Sequence, residues 1–136
     1  MASAPVPFNS ADEANQLARL FYTLSQTVDD LRLGGTLVDA TPADLGRLKD
    51  EAQALDNRAH YFTAEAIGAT LLNIQSDLAN IKAVTADAKT QLGTLNTVSK
   101  VIAIATAGLG LATAIAAGDP AAILGAANAL ATTVAA

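Results

Sequence analysis

Few side chains in this sequence could do chemistry. His60, the one histidine, follows Asp56 by four residues, and on a helix that spacing would let the carboxylate hold the imidazole. A proton-transfer or metal role needs further ligands, and the chain offers no second His, no HExxH and no Glu-x-x-His pair. His60 therefore reads as a surface or boundary residue. The acidic pairs Asp12-Glu13, Asp29-Asp30 and Asp50-Glu51 would suit two-carboxylate hydrolysis only if burial lifted one acid of a pair. Adjacent helical residues point in different directions, so these pairs read as solvated helix surface. Gly108-Leu109-Gly110 has the start of a dinucleotide loop, but Thr113 stands where a third glycine is wanted and no strand precedes it. There is no Cys, which removes disulfides, thiolate ligands and thiol nucleophiles together. The expectation is a protein that is not an enzyme, with no cofactor, no metal site and no evident small-molecule substrate.

The totals narrow the partners. A chain of 136 residues is about one domain, long enough to bury roughly two thirds of its unfolded surface. Eight basic against thirteen acidic residues give a net charge of -5, the wrong sign for a broad phosphate-binding face, so no nucleic-acid partner is expected. Twenty of the twenty-one charged residues lie in residues 1–100, and only Asp119 lies beyond. The opening stretch MASAPVPFNS lacks both a basic region and an apolar core. It reads as an extended arm over residues 1–9 and predicts a chain made as a soluble cytoplasmic protein. Membrane association, or export by a signal-independent route, stays open.

The elements that would position these residues are all helical. Ser10-Ala11-Asp12-Glu13 fits a capping box, after which Ala14, Leu17, Phe21, Leu24, Val28 and Leu31 recur at spacings of three and four until Gly34-Gly35. Thr41, Pro42 and Asp44 start a second helix after a short loop, which makes the two helices antiparallel neighbours, with Leu45, Leu48, Ala52, Leu55, Ala59 and Phe62 as the matching face. The register slips between Phe62 and Ile67. From there Ile67, Leu71, Ile74, Leu78, Ile81, Thr85, Ala88, Leu92 and Leu95 keep a heptad-like alternation. No proline falls between Pro42 and Pro120, so residues 42–117 could be one helix of more than about 100 Å, or could break near Gly68. Residues 10–100 thus form an amphipathic coiled-coil body.

Beyond Lys100 the polar face disappears. Residues 101–136 read as an apolar helical hairpin, its first arm driven by Val101, Ile102, Ile104, Leu109, Leu111 and Ile115. Gly118 would supply a left-handed cap and Pro120 the first turn of a second arm carrying Ile123, Leu124, Ala127, Leu130 and Val134. Each arm would be on the order of 25 Å long, near the lower limit for a hydrocarbon core of about 30 Å. Gly108, Ala112 and Ala116, and likewise Gly125 and Ala129, lie four apart, which would let two backbones approach closely. Lys82, Lys89 and Lys100 run along the approach to the tail and could face anionic headgroups.

The fold expected is all-α: an elongated helical bundle or coiled-coil hairpin with an apolar Ala/Gly-rich C-terminal helical hairpin. In layout, residues 67–136 resemble the helical pore-forming toxins, which combine long heptad helices with an apolar hairpin having Gly and Ala in place of charge. That resemblance implies a membrane-active protein whose hairpin enters or docks on a bilayer. The alternative is a self-assembling structural subunit, a filament or helical-bundle homo-oligomer, whose apolar tails bury one another. The expected partner is a lipid bilayer or a second copy of the chain.

Overall fold

Six α-helices and no strand make up residues 8–35 and 37–136, the part that the computed structural model describes. The helices are α1 (Ser10–Leu33), α2 (Pro42–Tyr61), α3 (Ala64–Asn73), α4 (Leu78–Leu92), α5 (Val98–Ala117) and α6 (Pro120–Ala135). Of the expected N-terminal arm only Phe8 and Asn9 fall within the described residues; both are non-helical, and Phe8 packs against the core.

The cap of α1 differs from the expected one. Asn9 is the N-cap, its side-chain oxygen accepting from the Ala11 and Asp12 amides at 3.0 and 3.1 Å, and Ser10 is the first helical residue. Glu13 does not reach back, because Lys82 of α4 donates to its carboxylate at 2.8 Å and a charged partner outcompetes a backbone amide. The seam residues Leu17, Phe21 and Leu24 are fully buried, and Gly34 and Gly35 end the helix as expected. At α2 the Thr41 hydroxyl accepts from the Asp44 amide while Asp44 accepts from the Thr41 amide, a complete capping box. The α1 and α2 helices are antiparallel: Ser25 donates to the Ala52 carbonyl at 2.7 Å, and the Phe21 and Phe62 rings meet edge to face at 5.5 Å.

Residues 42–117 are not one helix, nor is the break at Gly68. The chain leaves helical geometry at Phe62 and Thr63, at residues 74–77 and at residues 93–97, which gives α2 to α5. The first break sits at the register slip. Phe62 turns inward to 2 % exposure, and Thr63 then caps α3 by accepting from the Ala66 amide. Gly68 lies inside α3, where a Cβ would touch Ser10 at 3.4 Å. The second break carries no glycine or proline. Ile74 and Leu78 on either side of it both stay buried, so the apolar seam crosses a turn without interruption. Thr85, the one polar residue in that seam, is fully buried and donates its hydroxyl to the Ile81 carbonyl at 2.8 Å.

Helix α5 touches all five of the others, with α2 and α6 as its main neighbours. It runs in the same direction as α2, since Asp39 meets Val98 and Glu51 meets Thr106, and antiparallel to α6. The joint between α5 and α6 is the expected one: Gly118 is left-handed at φ 81°, Asp119 caps α6 through the Ala121 amide, and Pro120 opens the helix. A Cβ at Gly118 would also sit 3.1 Å from the Thr70 hydroxyl. Gly118→Ala is therefore expected to lower stability by about 1–2 kcal/mol, read as a reduced urea midpoint at unchanged slope.

Candidate functional site

The apolar hairpin is the candidate site, and its large side chains point inward. Val101, Ile104, Leu111, Ile115, Ile123 and Leu130 are all fully buried, in one core with Leu71, Ile74, Leu78 and Ile81 of the upstream seam. Ile102 and Leu109 are half-buried against that core, and Leu124 is exposed. Helix α5 is the one helix among the described residues long and apolar enough to cross a membrane by length and composition. Here one face of it is buried against the other helices, and a stripe from Ala103 to Ala117 stays exposed.

What remains outside on the two arms is uncharged and, Leu124 apart, mostly small. Ala103, Gly110, Thr113 and Ala117 of α5 are exposed, as are Ala121, Gly125, Ala129 and Leu124 of α6. Of the small residues expected to bring the two arms together, Ala112 is fully buried and Ala116 packs against the core, but the two glycines and Ala129 do not lie between the arms. Gly108 is buried against α1, where a Cβ would come 2.9 Å from the Leu24 methyl, whereas Gly125 has open space around it and Ala129 faces outward. Gly108 thus serves the approach of α5 to the body of the protein.

Polar contacts made by Asp39, Glu51, Lys100 and Arg47, whose Nη2 donates to the Thr106 hydroxyl at 3.4 Å, fasten the hairpin, and none was evident from the sequence. Thr97 caps α5 in position but gives no side-chain bond; Asp39, in the loop between α1 and α2, accepts from the Val98 amide at 2.9 Å in its place. Glu51 is buried between α2 and α5, where it accepts from the Thr106 hydroxyl at 2.9 and 3.0 Å and from Arg47 Nε at 3.0 Å. Lys100 donates to the Thr133 carbonyl at 2.6 Å and to the Ala136 carbonyl, holding the last turn of α6. The expected row of lysines is therefore divided: Lys100 caps α6, while Lys82 and Lys89 line a groove with Arg19 of α1.

The chemistry-bearing residues stay apart. The His60 side chain is 72 % exposed, its Nδ1 lying 2.8 Å from the Asp56 carbonyl oxygen and 3.4 Å from the Asp56 carboxylate. Asp29 pairs with Arg32, and Asp12, Asp30 and Asp50 lie at the surface. Among the described residues no group of three or more His, Asp or Glu is placed to share a metal ion, and Gly108 and Gly110 lie in mid-helix rather than in a phosphate-binding loop. The chain matches no family model, no curated protein and no solved structure. The hairpin's own physics has to carry the functional reading.

Proposed function

We propose that the protein acts on membranes: the α5–α6 hairpin is stored against α1, α2 and α4 in the soluble form and is released to insert into, or dock on, a bilayer. The observation that carries this reading is helix α5, long and apolar enough over Val98–Ala117 to cross a membrane by length and composition and free of charge beyond Lys100. Moving Val101, Ile104, Leu111 and Ile115 from a protein core to a lipid core exchanges one apolar surrounding for another, and a helix keeps its backbone groups satisfied in both. The main opposing terms are the contacts of Asp39 and Glu51 with α5. The Lys100 contacts join α5 to α6 and can travel with the hairpin.

The test is flotation with neutral and anionic vesicles, comparing the unchanged chain with Gly110→Arg. Gly110 is exposed near the middle of α5 with open space around it, so the arginine leaves the soluble fold intact. At mid-bilayer it costs about 2.5–3.5 kcal/mol. The unchanged protein is expected to float, and the folded variant to stay at the bottom of the gradient. Failure of the unchanged protein to float with any vesicle, or equal flotation of the variant, overturns the reading. Truncation at Lys100 is a poorer control, because it removes Val101, Ile104 and Leu111 from the shared core.

A second reading, self-assembly through the tails, is favoured by the uncharged outer face of Ala103, Gly110, Ala117, Gly125 and Ala129. Small exposed residues let a neighbouring helix come close. In this form the tails pack outer face to outer face, and their large residues stay in their own core. A concentration-dependent rise in molar mass without lipid, lost in Gly110→Arg, is its expected signature.

A further inference from the structure

We infer that the groove between α1 and α4 binds a single-chain amphiphile with a carboxylate head, of the fatty-acid class. The space between these helices is a groove of about 610 Å³ that is open to solvent along its length. Its apolar lining is Leu20 of α1 with Ala79, Ala83 and Ala86 of α4, of which Ala79 and Ala83 are exposed, because alanines leave open what longer side chains would cover. The lining stretch of α4, residues 79–89, is about 15 Å long, a length that suits a medium-length alkyl chain.

The charge of the site selects the head group. Arg19 and Lys89 line the groove, and among the described residues neither has a carboxylate within ion-pair distance. Lys82 also lines it, with its ammonium already held by Glu13 at 2.8 Å and Gln16 at 2.9 Å. No acidic residue lines the groove, although acids outnumber bases in the chain as a whole. A local surplus of cations over an apolar lining complements a ligand with an anionic end and a hydrocarbon body. The planar guanidinium of Arg19 suits a carboxylate in particular. Helices α5 and α6 contribute no residue to its lining, so the site is complete with the hairpin stored.

The experiment is calorimetric titration of the full chain, without vesicles, with dodecanoate below its micellar concentration. Dodecyltrimethylammonium and butanoate serve as controls for the head and for the chain. Saturable binding of dodecanoate, with neither control binding, is the expected result. In Arg19→Gln/Lys89→Gln the affinity falls about tenfold or more, as charge-assisted hydrogen bonds are lost. Ala83→Leu fills the groove at an exposed helical position and weakens binding while both cations remain. Thermal melts confirm that each variant is folded. No saturable binding of dodecanoate, equal binding of the cationic amphiphile, or undiminished affinity in the folded double variant overturns the inference.

Discussion

Leu111→Arg is expected to leave no cooperative unfolding transition at 25 °C when followed by circular dichroism in urea. Leu111 is fully buried in the middle of α5, the helix that touches all five others. A guanidinium there loses its hydration and meets no carboxylate, and breaking a core with an uncompensated charge is among the most destabilising of substitutions. The loss should exceed about 5 kcal/mol, comparable with the whole stability of a typical small domain. Leu111→Ala, which leaves a cavity without a charge, should cost about 2–5 kcal/mol and remain folded. The informative comparison is with Gly110→Arg, one residue away and facing solvent. Two arginines at adjacent positions with opposite outcomes would fix the rotational setting of α5. Similar outcomes would mean that the helix is turned differently.

Phe62→Ala carries the second largest effect. This ring is 2 % exposed and meets Phe21 edge to face at 5.5 Å with planes 80° apart. Truncation removes a large buried surface and opens a cavity where α2 hands over to α3, at about 3–5 kcal/mol. It also removes an aromatic contact worth about 0.5–1.5 kcal/mol beyond area. At a urea slope of about 1–3 kcal/mol per molar, the midpoint should fall by roughly 2 M. A double-mutant cycle with Phe21→Ala separates the ring contact from the cavity: the pair should lose less than the sum of the single variants. Strict additivity would show that the two rings fill space independently.

The parts of this fold that could be read from the sequence are those whose cause is local. Leu17, Phe21 and Leu24 lie on one face because of their spacing alone, and the spacing is written in the chain. Thr41, Pro42 and Asp44 form a cap among themselves, as do Gly118, Asp119 and Pro120. The turn at residues 74–77 escaped because the apolar seam runs through it unbroken: Ile74 and Leu78 keep helical spacing while the backbone between them does not keep helical form. Asn9 displaced Ser10 as the cap because the carboxylate needed to close the box, Glu13, found a lysine sixty-nine residues away. Asp39, Glu51, Thr106 and Lys100 were illegible for the same reason. Their partners lie thirty-three to fifty-nine residues along the chain, and no local pattern marks a pair that only tertiary packing brings together.

The bond from Asp39 to the Val98 amide has a consequence for synthesis. The chain is made from its N-terminus, and helices that have already emerged can pair before later ones exist. By the time α5 is made, the loop that holds Asp39 and the α1–α2 face that covers α5 are already available. The two most apolar helices, α5 and α6, thus emerge after α1 to α4 and meet a seat prepared by those before them. A reversed order would leave the hairpin uncovered in water while the rest of the chain was still being made.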